Sequence, residues 1–314
     1  MNFTDKIKSE ILSKPPKDRH CKIAFIAGLI RGSGVLYEKD GELGLEFKAF
    51  DEETALALTT AFNNLFSYDI REVTVTEDKL NKKDRFYLNI SGARAVDILK
   101  ELGVLIEDGD GVAVDHKFYG RLTKRECCLR AFIRGLFVAS GSCTLPTEND
   151  SSSTGYHLEI NFSHYEPAFE TSSVLAEYGV LTKIVKRRDG YIVYIKSAEE
   201  IKDFIAFLPA PVSVLKLTDL MINREFSNQI NRQKNCDLGN VNKQVEASAK
   251  QIAAIEKIEQ TTGLDALKQD LKETAIARKE YPEETLQELA ERLSVSKSCL
   301  NHRLRKLVFI ASEL

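Results

Sequence analysis

The chain has 314 residues, of which 43% are hydrophobic and 29% charged, and its formal net charge is −3. This is the composition of an ordinary globular protein with room for two or three domains, and the small net charge favours no class of partner. No run of apolar residues approaches the roughly 18 that a membrane span needs, and the charged start lacks a signal-peptide core. We therefore expect a cytoplasmic protein with no membrane partner.

Six cysteines occur, at positions 21, 127, 128, 143, 236 and 299. None belongs to a CxxC pair, so they predict reduced, unpaired thiols. No histidine stands near a cysteine at the spacing of a metal site, and we predict no metal ion and no cofactor. His20, beside Cys21, and His164 are interpreted as ordinary residues of the fold.

Two segments repeat one another, "FIAGLIRGSG" (25–34) and "FIRGLFVASG" (132–141). In register, 107 positions apart, Cys21 falls on Cys128 and Gly28 on Gly135. Both are short apolar helices with glycine inside. Two glycines in register predict that the helices pack with their backbones unusually close, because small residues remove the bulk that separates helix axes.

The residues that follow each copy repeat as well. "LGLEFKAF" (43–50) and "HLEINFSH" (157–164) alternate as strands do, residues 71–91 and 182–197 have the pattern of hairpins, and 94–103 and 200–209 are amphipathic helices. In the second hairpin "RRDGY" contains an Asp-Gly turn signal. We predict an α+β domain over 1–208, made of two halves (about 20–105 and 127–208) with pseudo-two-fold symmetry.

These residues resemble the LAGLIDADG homing endonucleases, in which two motif helices pack at the pseudo-dyad and the hairpins form a saddle on duplex DNA. At the sixth and eighth motif positions this chain has Arg31 and Ser33, then Val138 and Ser140. In the family the acids at the eighth position hold the divalent metals that activate water. A neutral serine is a poor substitute for a carboxylate, so Ser33 and Ser140 predict a chain that is not an enzyme. Glu38, Asp40 or Asp150 could replace the lost acids only after a loop rearrangement.

In the C-terminal third the alternating pattern of strands ends and a helical pattern begins. Pro209 and Pro211 predict a linker over 209–222, and an all-α domain follows over 223–314. Its first part is rich in Asn with interleaved Arg and Lys. That composition fits either a helix whose Asn side chains serve in hydrogen bonding or a solvated, frayed connection.

Residues 285–307 have the pattern of a helix-turn-helix. Thr285 and Glu288 stand at capping-box spacing, and Ser296 precedes a second helix. The apolar faces are Leu286, Leu289 and Leu293, then Leu300, Leu304 and Leu307. The outward side chains suit base edges and phosphates, and they are Lys297, Ser298, Asn301, His302 and Arg305. The segment resembles the promoter-binding helix-turn-helix of sigma factors (region 4), although it has Ser294 where Gly is common. A helical hairpin with a solvated basic face would give a similar pattern.

The order of these parts resembles the WhiA family of bacterial regulators of cell division and sporulation, over nearly the whole chain. "CKIAFIAGLIRGSG", "ECCLRAFIRGLFVASGS", "NRQKNCDLGNVNK" and "VSKSCLNHRLRKL" carry the resemblance. It implies a nucleoid-associated transcription regulator that binds double-stranded promoter DNA, with a role in cell division, chromosome segregation or sporulation. RNA polymerase or a second regulator is a candidate protein partner. The expected DNA-binding residues are Ser296, Lys297, Ser298, Asn301, His302, Arg303, Arg305 and Lys306, with Asn231, Arg232, Asn235, Asn240 and Lys243 assigned to the same unit.

Two alternatives stay open, an active metal-dependent homing endonuclease and a protein-interaction scaffold. The charges of the two hairpins bear on the scaffold alternative. The second hairpin carries Lys183, Lys186, Arg187 and Arg188, whereas the first mixes Glu72, Glu77 and Asp78 with Lys79, Lys82, Lys83 and Arg85. Only half of the ancestral saddle is therefore basic, and we expect the repeat to have moved partly towards protein contact.

Overall fold

The computed structural model describes residues 2–70, 72–78, 83–109, 111–146 and 155–314. They form two compact units, Met1–Asn223 and Arg224–Leu314. Within those ranges, no helix combines the length and the apolar character that crossing a bilayer requires.

The first unit contains the predicted duplication, which is confirmed. The first half comprises α1 (Phe3–Ser13), α2 (Arg19–Ser33), β1 (Val35–Lys39), β2 (Glu42–Ala49), α3 (Glu52–Phe66), β3 (Glu72–Asp78), β4 (Lys83–Ile90) and α4 (Ala93–Glu101). A small hairpin, β5 (Leu105–Asp108) and β6 (Gly111–Val114), and a 3-10 turn (Arg121–Thr123) lead to the second half. The second half comprises α5 (Glu126–Ser140), β7 (Gly141–Thr144), β8 (His157–Phe162), α6 (Tyr165–Glu177), β9 (Lys183–Arg187), β10 (Gly190–Ile195) and α7 (Ala198–Phe207).

Each half contributes one antiparallel four-stranded sheet, and the two sheets have the same topology. The strand orders are β1-β2-β4-β3 and β7-β8-β10-β9. Because side chains alternate across a strand, Leu45 and Phe47 of β2 face the core, and Glu46 and Lys48 face away. Leu158 and Ile160 do the same in β8. The sheets therefore bury one face against the helices and leave one face open.

The hairpin of the second half differs in detail from its prediction. Gly190 is already paired with Arg187, so the two loop residues are Arg188 and Asp189, not Asp189 and Gly190. Arg188 adopts a left-handed conformation, with φ of 52°. Gly190 is required for a different reason, because a Cβ atom there would lie 2.7 Å from the carbonyl oxygen of Phe162 on the neighbouring strand.

Helices α2 and α5 pack against each other at the centre of the unit, in the predicted close contact. A Cβ atom on Gly28 would lie 2.8 Å from the carbonyl carbon of Phe132, and one on Gly135 would lie 2.8 Å from the backbone nitrogen of Leu29. One helical turn or so further on, a Cβ on Gly32 would lie 2.7 Å from the Cβ of Ala139. Since both helices are buried on nearly all sides, this contact forms the core that both sheets cover.

Residues 211–222, predicted to be part of a linker, are helical instead. They form the start of α8, which runs over Pro211–Thr261. Pro211 occupies the first helical position, where its missing N–H costs nothing. The Glu10 side chain of α1 accepts hydrogen bonds from the backbone N–H groups of Val212 and Ser213, at 2.8 and 2.9 Å. This carboxylate satisfies the free donors of the helix start and complements its dipole.

The second unit is all α. Beside the later part of α8 it contains a 3-10 turn (Leu264–Ala266), α9 (Gln269–Glu280), α10 (Leu286–Arg292) and α11 (Lys297–Glu313). The core is a small apolar cluster to which every one of these helices contributes, for example Ile255, Leu271, Leu289 and Leu304. The Ser248 hydroxyl donates to the carbonyl of Pro282 at 2.6 Å, which fixes α8 to the α9–α10 connection.

Candidate nucleic-acid interface

The start of α10 is fixed by the predicted capping box. The Thr285 hydroxyl accepts from the N–H of Glu288 at 3.2 Å, and the Glu288 carboxylate accepts from the N–H of Thr285 at 2.8 Å. Two donors that the helix cannot satisfy are thereby paired reciprocally. Behind them Leu289 is fully buried and Ala290 nearly so.

The turn between α10 and α11 uses an unusual residue. Ser294 has φ of 53°, in the left-handed region that glycine adopts most easily. Ser296 then caps α11, since its hydroxyl accepts from the N–H of Cys299 at 3.2 Å. The helix that follows buries its predicted apolar face, Leu300, Leu304 and Leu307. The predicted helix-turn-helix is confirmed.

The opposite side of α11 is open. Of the predicted DNA-binding residues, Asn301 is half-buried, and the exposed ones are Ser296, Lys297, Ser298, His302, Arg305 and Lys306. They occupy the first three turns of the helix, at spacings that place 298, 302 and 305 on one face. The arrangement offers amide, hydroxyl, imidazole and cationic groups together on one exposed helix face.

Arg303 is the exception in this set. It lies on the side of α11 that faces α9, where its Nε atom is 3.6 Å from a carboxylate oxygen of Asp270. Its Nη1 also donates to the Asp270 carbonyl at 3.5 Å. The contact ties two helices of the unit together, so Arg303 is a residue of the scaffold rather than of the open face.

Four further residues hold the α9–α10 connection, and the sequence did not predict this role for them. Buried Arg278 donates to the Glu284 carbonyl at 2.9 Å. Arg292 pairs with the Glu284 carboxylate and stacks on Tyr281, with its guanidinium carbon 3.6 Å from the ring centroid. The hydrogen bond from Arg292 lowers the pKa of Glu284 below its usual range. The charged "RKEYPEE" stretch is the only sequence signal for this network. It does not indicate the pairing, because Glu284 and Arg292 lie eight residues apart.

The five predicted residues of α8 are all exposed: Asn231, Arg232, Asn235, Asn240 and Lys243. Residues 231 and 235 stand one turn apart on the same face, and 232 and 243 lie beside them at helical spacing. Asn240 lies on the side of the helix opposite Asn231, with its side-chain nitrogen 3.8 Å from the Cys236 sulfur. The segment is a continuous helix and not a frayed connection.

At the C-terminal ends of the motif helices, both serines that replace the family's acids turn back onto their own helix. The Ser33 hydroxyl donates to the Leu29 carbonyl and the Ser140 hydroxyl to the Leu136 carbonyl, each at 3.1 Å. Arg31, at the sixth position, donates to the carbonyls of Asp115 and Gly103. Burial lowers the pKa of this guanidinium.

The acids considered as replacements do not form a metal site here. Glu38 and Asp40 are exposed, and Asp150 lies outside the described residues. Across the ranges that the structure describes, the one group of three or more His, Cys, Asp or Glu side chains with metal-binding spacing lies at the other, N-terminal ends of α2 and α5.

Beside Ser140, the first unit has an open cavity of about 680 Å³. Its lining combines the motif-helix residues Arg31, Gly32 and Ser140 with the hairpin residues Arg187 and Arg188. Arg187 and Arg188 are exposed at the hairpin tip together with Asp189, so this wall of the cavity carries two cations and one anion.

The open sheet faces carry mixed charge. Lys183, Lys186, Arg187 and Arg188 of the second hairpin are exposed, and Arg187 lies 3.9 Å from the carboxylate of Glu159. In the first hairpin, Lys79 and Lys82 lie outside the described residues, as do the side chains of Glu72, Glu77, Asp78 and Lys83. Arg85 is partly buried.

Three family models match the chain. They are the WhiA N-terminal LAGLIDADG-like domain over residues 19–105, the WhiA LAGLIDADG-like domain over 129–227 and the WhiA C-terminal HTH domain over 230–311.

Similar proteins match over the whole length. The "Probable cell division protein WhiA" of Clostridium novyi (strain NT) is 34% identical over 319 aligned residues, which cover 100% of this chain and 98% of that protein. The protein of the same name from Bacillus subtilis (strain 168) is 33% identical over 317 residues, with 100% and 97% covered. The crystal structure of full-length DUF199/WhiA from Thermatoga maritima has a TM-score of 0.59 at 23% identity, covering 100% of this chain and 99% of that chain. It has the same fold.

Proposed function

The chain belongs to the WhiA family, and from that premise we propose that it is a transcription regulator that binds double-stranded promoter DNA in a sequence-specific way. Helix α11 enters the major groove, and the LAGLIDADG-like repeat does not cleave DNA. Cell division, the process in the names of its relatives, is the process whose genes it controls.

The exposed side of α11 carries the proposal. A helix that is capped at Ser296 and buried along Leu300 and Leu304 presents its first turns outwards, as a recognition helix does. Asn301 can pair with adenine through two hydrogen bonds, and Lys297 and Arg305 can contact guanine or phosphate. The net charge of −3 gives the whole chain little general attraction to DNA, so affinity must come from local groups such as these.

The motif helices support the absence of cleavage. A two-metal mechanism needs anionic oxygen ligands, and the hydroxyls of Ser33 and Ser140 are neutral and already bonded to carbonyls of their own helices. Arg31, two residues before Ser33, adds a positive charge to the same helix end, which further disfavours a divalent cation there.

The test is selection of duplexes from a randomised DNA pool by the full chain in the presence of Mg²⁺, at two salt concentrations, with the bound DNA both sequenced and sized. We expect a motif on intact DNA. Salt-sensitive binding without a motif would contradict base-specific recognition, and cut DNA that persists after further purification would contradict the lack of nuclease activity.

The selected site then tests Asn301. Asn301→Ala should relax the preference at one base pair and cost about 1–3 kcal/mol on the selected site. Ser312→Ala, an exposed substitution near the far end of the same helix, is the matched control and should leave binding unchanged. An equal loss on every sequence would make Asn301 a phosphate contact instead.

The contribution of the LAGLIDADG-like repeat to DNA binding can be tested separately from that of α11. Replacing Lys183, Lys186 and Arg188 with Glu reverses the exposed charge of the second hairpin without touching the core. If the repeat contacts DNA, affinity should fall and its salt dependence should weaken. Unchanged affinity would favour a protein-binding role for the repeat.

A further inference from the structure

Four side chains that can bind metal meet at the N-terminal ends of the two motif helices. They are His20 and Cys21 at the start of α2, and Cys127 and Cys128 at the start of α5. One ligand atom of each lies within 4.8 Å of the ligand atoms of the others. The Nδ1 atom of His20 lies 3.2 Å from the sulfur of Cys21 and 3.2 Å from that of Cys128.

The cluster follows the internal symmetry of the chain. The offset that superposes the helices places His20 on Cys127 and Cys21 on Cys128, so each half contributes one ligand pair at the second and third helical positions. Cys21 and Cys128 are buried at the pseudo-dyad, whereas Cys127 is exposed. The exposed thiol and the accessible imidazole leave a path by which an ion could enter.

We propose that this cluster is a structural zinc site that joins the two halves of the LAGLIDADG-like domain. Three cysteines and one histidine are a ligand set of structural zinc sites. With Zn–S bonds of about 2.3 Å, tetrahedral ligands stand roughly 3.8 Å apart, so atoms already within 4.8 Å need only small side-chain rotations to close on an ion. All four positions are taken by protein, which leaves none for a substrate.

The positive helix ends and the arginine around the cluster match the charge of the zinc-bound site. Three thiolates, a neutral imidazole and Zn²⁺ carry a net charge of −1. This charge lies at two helix N-termini, whose dipoles favour anions, and Arg125 stands just before α5. Hard cations such as Mg²⁺ prefer oxygen ligands, so the site selects a softer ion.

Loading the site exchanges protons for metal. Burial raises the pKa of Cys21 to about 12, and it also raises the pKa of Cys128. When Zn²⁺ binds, three S–H protons leave to solvent and three Zn–S bonds form, with no change of oxidation state.

The first experiment measures metal in the full-length chain purified under reducing conditions. We expect about one zinc ion per chain, as for a site with a complete set of four ligands. Cys127→Ser removes a ligand from an exposed position and should lower zinc affinity at least about a hundredfold, more than the loss of an outer-shell partner does. Cys236→Ser, at an exposed cysteine outside the cluster, should retain the metal.

The second experiment separates metal binding from folding. The chain, freed of metal by a chelator and kept anaerobic, is titrated with Co²⁺. Tetrahedral sulfur ligation should give intense d–d and sulfur-to-metal charge-transfer absorption, which Zn²⁺ then abolishes and Mg²⁺ does not. Refilling with Zn²⁺ should also raise the melting temperature of the wild type but not that of Cys127→Ser.

Several outcomes would overturn the proposal. A reduced chain that takes up neither Zn²⁺ nor Co²⁺ would do so, and so would uptake that Cys127→Ser leaves unchanged. A chain in which Cys21 and Cys128 are found joined by a disulfide, with no metal bound after reduction, would assign the cluster to redox chemistry instead.

Discussion

Gly28 lies directly against the backbone carbonyl of Phe132, and 107 residues later Gly135 lies against that of Phe25. The two contacts are symmetric copies of each other, and each brings one motif helix to within backbone distance of the other. At this distance neither helix leaves space for a side chain. The duplicated glycines are therefore a packing requirement of the dyad and not tolerated defects.

Gly28→Ala should destabilise the first unit strongly. The added Cβ would meet the Phe132 carbonyl group, and backbone inside a packed core has little freedom to shift. Overpacking of this kind costs about 1–3 kcal/mol, and the backbone contact places the expected value at the upper end or above. Urea unfolding of the full chain, followed through the transition of the first unit, measures the loss.

Gly239→Ala is the matched control for that substitution. Gly239 is also a helical glycine, but nothing lies within 4 Å of the position of its Cβ. Alanine should therefore stabilise α8 by up to about 1 kcal/mol through helix propensity. A loss at Gly239 similar to that at Gly28 would mean that helix geometry, not the interhelical contact, explains both results.

Glu10 should matter for the start of α8. Its carboxylate accepts from the N–H groups of Val212 and Ser213 and from the Ser213 hydroxyl at 2.8 Å, and Ser213 is buried. Glu10→Ala leaves these donors unpaired, and we expect a loss of about 1–3 kcal/mol in the free energy of unfolding. Glu246 is an exposed glutamate within α8 itself, and Glu246→Ala should change stability by less than about 0.5 kcal/mol. Equal effects of the two changes would contradict the capping role.

The sequence predicted most of the fold because the duplication supplied two versions of every pattern. The alternation in residues 43–50 and 157–164 and the glycine register are local signals, and the strands and the close helix pair followed from them. The linker predicted over 209–222 is instead helical from Pro211 onwards, because the interaction that starts this helix is not local in sequence. Pro211 suggested a break, and the carboxylate that starts the helix there belongs to Glu10, about two hundred residues earlier in the chain.

In the candidate sites, too, local motifs could be predicted and contacts between distant residues could not. The helix-turn-helix is a local motif, so its caps at Thr285 and Ser296 and its buried leucines could be predicted. Arg303 was predicted to bind DNA because a guanidinium suits phosphates and guanine. In the structure this side chain contacts Asp270 on another helix, and the local sequence does not show that contact. The cysteine cluster was missed because metal-ligand spacing along the chain gives no signal when the ligands come from two halves that meet only after folding.

Arg305 and Arg303 should respond differently to removal. Arg305 is exposed on the open face of α11, so Arg305→Ala should weaken binding to the selected DNA and reduce the slope of log affinity against log salt by about 1, with unchanged stability. Arg303→Ala breaks the contact with Asp270 and should lower stability by up to about 1 kcal/mol, with the salt slope unchanged. Fluorescence anisotropy at several salt concentrations and urea unfolding of the same two variants give both quantities. The assignment fails if Arg303→Ala is the variant that reduces the slope.

Lys8 should make the stability of the first unit depend on pH in the alkaline range. It lies in α1 with only 9% of its surface exposed, and burial, together with the nearby charge of Lys48, lowers its pKa from 10.5 to about 8. Asp5 opposes this shift only in part. Between these values the unfolded chain holds a proton that the folded chain has released, so stability rises as pH rises through the window.

Lys8→Met removes this dependence, and the comparison with wild type isolates it. At about 1.4 kcal/mol for each pH unit, the lowered pKa corresponds to about 3 kcal/mol, which bounds how much more stable Lys8→Met should be near neutral pH. That advantage should shrink steadily from pH 8 to pH 10.5. The buried thiol of Cys143, whose pKa burial raises to about 12, acts in the other direction above pH 9 but is common to both chains. Urea unfolding of both chains at several pH values measures the difference, and a difference that stays constant with pH would show that Lys8 titrates normally in the folded chain.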